Sequence, residues 1–214
     1  MRLPIHPIME QSFAVIDREI GEHHFSPTEY SIVRRVIHST ADFEFTQLVH
    51  FSQGAKDATT SCCAIASGIK ALQQRVPIIT DVGMVKQGVV GMVEKTFNNP
   101  LIAAVELAPV ALPGKTRTET GLLQCFEKFP NAIFVIGNAP TALLALCSQL
   151  PTSPIQPSLV IGAPVGFISV LESKAALAQT PVPQIRVEGR KGGSAVAAAI
   201  LNALLVLAWE ENSC

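Results

Sequence analysis

A chain of 214 residues suffices for one α/β domain, and 48% hydrophobic against 15% charged residues predicts a large core with apolar surface left for a subunit interface. Sixteen basic against seventeen acidic residues give a formal charge of −1 with no Lys/Arg run, which excludes a nucleic acid or anionic membrane drawn in by net field. The five cysteines, Cys62, Cys63, Cys125, Cys147 and Cys214, contain no Cys-x-x-Cys pair and follow no secretory signal, so reduced thiols and a cytoplasmic protein are expected.

In chain order, Pro7 followed by Ile8, Phe13, Val15, Ile16 and Ile20 predicts a helix that stops near Gly21. Ser26-Pro27-Thr28-Glu29 supplies a second helix start, and Tyr30, Val33, Val36 and Ile37 give that helix one apolar stripe ending at about His38. Residues Gly54 to Gln74 are rich in small side chains and again helical. From there short apolar runs end in turns that open into helices. Pro77 to Thr80 leads into Asp81-Val82-Gly83, and Ala132 to Ile136 into Gly137-Asn138-Ala139-Pro140-Thr141 and a helix over Ala142 to Gln149. Leu159 to Ile161 leads into Gly162-Ala163-Pro164-Val165-Gly166-Phe167, and Gln184 to Val187 into Gly189-Arg190-Lys191-Gly192-Gly193-Ser194 and a last helix.

This alternation predicts a three-layer α/β/α fold with a mainly parallel sheet, preceded by N-terminal helices, as a single domain over residues 1–214. The wholly apolar run Ile133 to Ile136 suits a central strand, and the proline-rich tract Leu150 to Ser158 a surface loop. Ala195 to Trp209 is apolar apart from Asn202, but spans only roughly 22 Å against a hydrocarbon core of roughly 30 Å. A buried core helix is expected there, and no membrane.

Ligands of open parallel sheets bind beyond the carboxyl ends of the strands, where the four glycine-containing turns fall. Backbone N–H groups at helix starts there can seat carboxylate or phosphate. In the last turn Arg190 and Lys191 stand among Gly189, Gly192 and Gly193, with Ser194 able to cap; an anion seat and a solvated basic loop fit it equally. Neither the Walker spacing nor a G-x-G-x-x-G fingerprint occurs. His38 lies one turn after Arg34 and Arg35, as a catalytic group or a helix-capping histidine. Asp81 can cap the next helix or orient a ligand donor, and Arg117 can grip a carboxylate or sit in a polar turn. His6, His23, His24 and His50 lack partners at metal-ligand spacing, so no metal site is expected. Local chemistry alone reaches an α/β protein that holds an anionic small molecule.

Taken as an ordered set, several stretches resemble the precorrin-8X methylmutase (precorrin isomerase) family over nearly the whole chain. They are Pro7-Ile8 with Ser12-Phe13, Arg35-Val36-Ile37-His38-Ser39-Thr40, Asp81-x-x-Met84-Val85, Thr116-Arg117, Gly137 to Leu143, Pro164 to Phe167 with Glu172-Ser173-Lys174, and Gly189 to Ser194 followed by Asn202-Ala203-Leu204.

The resemblance implies an isomerase of cobalamin biosynthesis that moves a methyl group between adjacent ring C carbons of a tetrapyrrole to give the corrin. It implies no cofactor or metal, a homodimer, and His38 as the catalytic proton donor. Its motif positions, with the physics of the turns, put Ser12, Asp81, Met84, Arg117, Asn138, Gly166, Arg190, Lys191 and Gly193 in contact with the substrate, and Val85 and Phe167 on the ring faces. The N–H groups near Gly137, Gly166 and Gly193 become candidate carboxylate donors. Thr118-Glu119-Thr120-Gly121 departs from the small-residue stretch the family often carries there, and Glu119 has to point away if Arg117 is to hold a carboxylate. Two other readings stay open: a non-catalytic tetrapyrrole- or anion-binding protein, and a nucleotide-dependent α/β enzyme.

Overall fold

The computed structural model describes residues 6–52 and 64–212; the helical reading of residues 54–63, and Cys62, Cys63 and Cys214, lie outside them. Helix α1 (Pro7–Ile20) opens on its proline, with the His6 ring accepting from the Ile8 N–H, and ends at Gly21 with φ of 65°. Helix α2 (Pro27–Thr40) starts with a reciprocal capping box between Ser26 and Glu29. It buries Ile32, Val33, Val36 and Ile37 and carries His38 in its last turn. Then come α3 (Phe45–Leu48), β1 (Val49–Phe51), α4 (Ala64–Gln73), β2 (Ile78–Thr80), α5 (Gly83–Lys95), β3 (Leu101–Ala103) and α6 (Ala104–Leu107). The remainder is α7 (Arg117–Lys128), β4 (Ile133–Ile136), α8 (Pro140–Gln149), a 3-10 turn (Leu150–Thr152), β5 (Leu159–Gly162), α9 (Val170–Ala178), β6 (Gln184–Val187) and α10 (Ser194–Glu211).

The six strands lie in the order β1-β6-β5-β4-β2-β3, parallel except for β1, which pairs antiparallel with β6. Side chains of β4 alternate between the faces. Ile133 and Val135 join one core with α2, α4, α5 and α10, while Phe134 and Ile136 join another with α7, α8 and α9. These are the three expected layers, with β4 inside the sheet as its apolar run requires. Each fully buried Ile, Leu or Phe contributes about 1.5–3 kcal/mol of transfer free energy to them.

Helix α10 is 18 residues long, longer than the expected apolar stretch, and by length and composition alone it is apolar enough to cross a membrane. Its surroundings decide the matter: 56% of it is buried, against α2, α5 and α4. It is the core helix of one layer.

From β2 the chain steps outward to β3, then returns to β4 on the other side of β2 and continues away from it to β5 and β6. The direction of winding thus reverses between β2 and β4, which opens a crevice beyond their carboxyl ends. Asp81 follows β2 there and Gly137 follows β4.

Candidate active site

His38 is exposed, and its Nδ1 lies 2.8 Å from the Ser12 hydroxyl of α1. The Phe13 ring meets it edge-on at 5.4 Å and 74°. Helix α1 is itself fastened to α2. The Asp17 carboxylate accepts from the Tyr30 hydroxyl at 2.6 Å and from Arg34 at 2.9 Å, and the Arg34 guanidinium lies 4.3 Å over Phe13. Burial and the Asp17 hydrogen bond push the Tyr30 phenol up to about 12, so it stays a donor. With Nδ1 engaged, Nε2 is the nitrogen left to meet a ligand. Next to it, burial and the neighbouring Arg34 lower the pKa of the Arg35 guanidinium.

The end of α2 meets the basic turn. Lys191 bridges Asp42 at 2.5 Å and Glu44 at 2.8 Å, just beyond Thr40, which ties the segment after α2 to the turn before α10. Much of the positive charge expected from Lys191 is therefore spent on two carboxylates of the chain itself. Arg190 keeps its charge free. It is exposed, forms no ion pair with a described residue, and lies 5.7 Å over the ring of Phe167. Gly192 has φ of +154°, and a Cβ there would fall 2.4 Å from the Ala163 carbonyl oxygen. The turn packs on the 163–166 loop too closely for any other residue.

Three expected anion donors turn out to be occupied. The Gly193 N–H donates to the Ala163 carbonyl at 2.8 Å and the Gly166 N–H to that of Arg190 at 3.3 Å, lacing the two loops together. The Gly137 N–H, with those of Asn138 and Ala139, is taken by Asp81. Asp81 Oδ1 accepts from Val82 and Gly137 at 2.9 and 3.1 Å, and Oδ2 from Asn138 and Ala139 at 2.7 and 2.8 Å. The side chain is 0% exposed, so Asp81 offers no surface to a ligand and instead ties the β2 and β4 turns across the crevice. Burial raises its carboxyl pKa, against the pull of the four N–H groups that hold the anion.

What stays open at this edge is narrower than the sequence suggested. Helices α5, α9 and α10 start without a side-chain cap, and α10 has no acidic residue in its first turn. Asn138 is exposed beside the β4 turn. Met84 and Phe167 are 74% and 84% exposed, with Ile168 and Val110 at 81% and 78%. Val85, expected on a ring face, is 0% exposed and belongs to the core.

Arg117 is the first residue of α7, and two of its donors are already used. Nε donates to the Ala108 carbonyl at 2.9 Å and Nη2 to that of Val105 at 3.1 Å, which anchors the 105–108 segment. Glu119 does not oppose it: the carboxylate closes the capping box with Thr116 and pairs with Lys115 at 2.5 Å.

One residue that sequence reasoning left without a role is Lys174. Its Nζ donates to the Gly189 and Lys191 carbonyls, both at 2.7 Å, from a side chain that is 1% exposed. The signal in the sequence was a lysine on the same stripe of α9 as Val170 and Leu177.

A cleft of about 430 Å³ lies elsewhere, between the α1–α2 turn and α3, lined by Glu19, His23, His24, Phe43 and others. None of the candidate site residues lines it.

The chain is similar to known proteins over nearly its whole length. The sequence model of the family described as precorrin-8X methylmutase matches residues 7–207. A cobalt-precorrin-8 methylmutase of Synechocystis sp. is 56% identical over 97% of this chain and 98% of its own length. One from Leptospira interrogans is 36% identical over 94% and 92%. The crystal structure of a precorrin-8X methylmutase from Thermus thermophilus superposes with a TM-score of 0.85 at 41% identity, covering 95% of this chain and 96% of that one.

Proposed function

Because this chain belongs to the precorrin-8X methylmutase family, we propose that His38 is the proton donor in the methyl shift by which it makes a corrin. The enzyme is an isomerase of cobalamin biosynthesis. It moves one methyl group between adjacent ring C carbons of precorrin-8X or cobalt-precorrin-8, giving hydrogenobyrinate or cobyrinate. The cobalt form is favoured by the 56% identical Synechocystis relative. As the bond to one carbon breaks, the bond to its neighbour forms, and the atom count is unchanged.

The observation that carries the role of His38 is its fixed imidazole, held by Ser12 at Nδ1 and by Phe13 at the ring edge. Protonated, it presents an Nε2–H donor to a ring C pyrrole nitrogen and holds the substrate in the tautomer from which the methyl migrates. General acid help of this kind contributes about 10²–10⁴-fold. Clamping the macrocycle so that one migration is open supplies the rest.

Arg190 is the chief carboxylate holder, helped by the uncapped start of α10 at Gly193, by Asn138, and by the remaining donors of Arg117 and Lys191. Phe167 and Met84 cover ring faces, with Gly166 letting the loop approach. Asp81 acts one step back, by fixing the turns. The apolar side chains of Val110 and Ile168, exposed at the same edge, are covered by a second copy in a homodimer, whose test is the mass in solution by light scattering. The enzyme's place is the cytoplasm, in keeping with the free thiols of Cys125 and Cys147. His38→Ala separates catalysis from binding. The variant is expected to bind the coloured corrin product like the wild type while turnover falls at least about 100-fold; normal turnover would refute the role of His38.

A further inference from the structure

We infer that Lys174 is a positioning residue for this reaction: from inside the fold it sets the shape of the 189–193 turn that presents Arg190 and the start of α10 to the substrate. The inference rests on the reading above that this edge of the sheet grips a tetrapyrrole.

Three glycines in this short turn have positive φ, 69° at Gly189, 154° at Gly192 and 113° at Gly193. Such a segment has many conformations available, and something outside it must select one. Two hydrogen bonds, from the Gly166 N–H to the Arg190 carbonyl and from the Gly193 N–H to the Ala163 carbonyl, tie it to the neighbouring loop. From inside the fold it is held by the Lys174 ammonium, which draws the carbonyls of Gly189 and Lys191, on either side of Arg190, inward at 2.7 Å each. Arg190, between those two residues, is left exposed over Phe167.

Lys174 is 1% exposed and forms no ion pair with a described residue. The carboxylate that acts on it, Glu188, is bonded to Arg186 at 2.6 Å. Burial pushes the Lys174 pKa down to about 8. A cation is costly in such a place unless its donors are used, and here the carbonyls of the turn take two of the three. Helix α9 alone would be packed as well by an apolar side chain between Val170 and Leu177. The lysine is therefore explained by the turn it holds, and the turn by the ligand it faces. The positive charge it places beneath this edge also suits a ligand with many carboxylates.

The test is Lys174→Met, which keeps the length and removes the donors. The expected result is a KM for the tetrapyrrole, and a Kd for the corrin product, at least about tenfold above wild type, with kcat within about threefold. A residue that only stabilises the fold would lower the active fraction, and so kcat, at unchanged KM. Lys174→Gln, which keeps two N–H donors, is expected to fall between the two proteins, and is measured in the same way if the methionine variant does not fold. Affinities within about twofold of wild type for either variant overturn the role of Lys174 alone. A wild-type protein that does not bind the corrin product overturns the proposed function, and the role of Lys174 with it.

Discussion

Replacing Asp81 by asparagine changes one oxygen of a fully buried carboxylate into an NH₂ group. In the wild type Oδ1 receives the Val82 and Gly137 N–H groups and Oδ2 those of Asn138 and Ala139. The amide keeps one pair and turns its own donors against the other, so two buried N–H groups lose their acceptor. Each such loss costs about 1–3 kcal/mol. Removing a buried charge, whose carboxyl pKa burial has raised, returns part of that. The expected net destabilisation is about 2–4 kcal/mol, and in a chain of this size each kcal/mol lowers Tm by about 2–4 °C. Calorimetry should therefore find Tm lower by about 4–16 °C. Amide hydrogen exchange should locate the loss at one of the two pairs, Val82 with Gly137 or Asn138 with Ala139, because only there does the acceptor change. A variant that melts with the wild type and keeps those amides protected would refute the idea that Asp81 ties the two turns together.

Ser12→Ala removes the partner of His38 Nδ1, a hydrogen bond worth about 0.5–1.5 kcal/mol net. Steady-state kinetics should show kcat lower by about 2–12-fold with little change in KM; an unchanged kcat would mean that Ser12 does not orient the imidazole. Lys174 also predicts how stability varies with pH. Its folded-state pKa of about 8 lies below the ordinary 10.5, so between those values the unfolded chain binds more protons and stability rises with pH. Relative to Lys174→Met, the wild type should gain up to about 3 kcal/mol across that window. Urea unfolding of both proteins on either side of it measures the gain, and a constant difference contradicts a buried ammonium.

The punctuation of the chain made much of the fold readable. Pro7, Gly21, Ser26 and Glu29 mark the ends of α1 and the start of α2, and the unbroken run Ile133 to Ile136 marks an inner strand. Strand β3 escaped because it runs into α6 with no turn between them, unlike the equally short β2, and β1 because His50 stands exposed in its middle. At the site, Ser12 and His38 were each legible, but their contact depends on two helices packing antiparallel across 26 positions. The free N–H groups expected of the turns were misjudged for the same reason. Their acceptors are Asp81, 56 to 58 residues away, and carbonyls on the neighbouring loop, none visible in local sequence. Lys191 looked like a free cation because Asp42 lies 149 positions before it.

The most direct measurement is to incubate the purified protein with precorrin-8X, and separately with cobalt-precorrin-8, and follow the visible spectrum. The predicted result is the spectrum of a corrin, hydrogenobyrinate from the first or cobyrinate from the second, growing in proportion to enzyme. Unchanged spectra with both substrates would contradict the methyl shift.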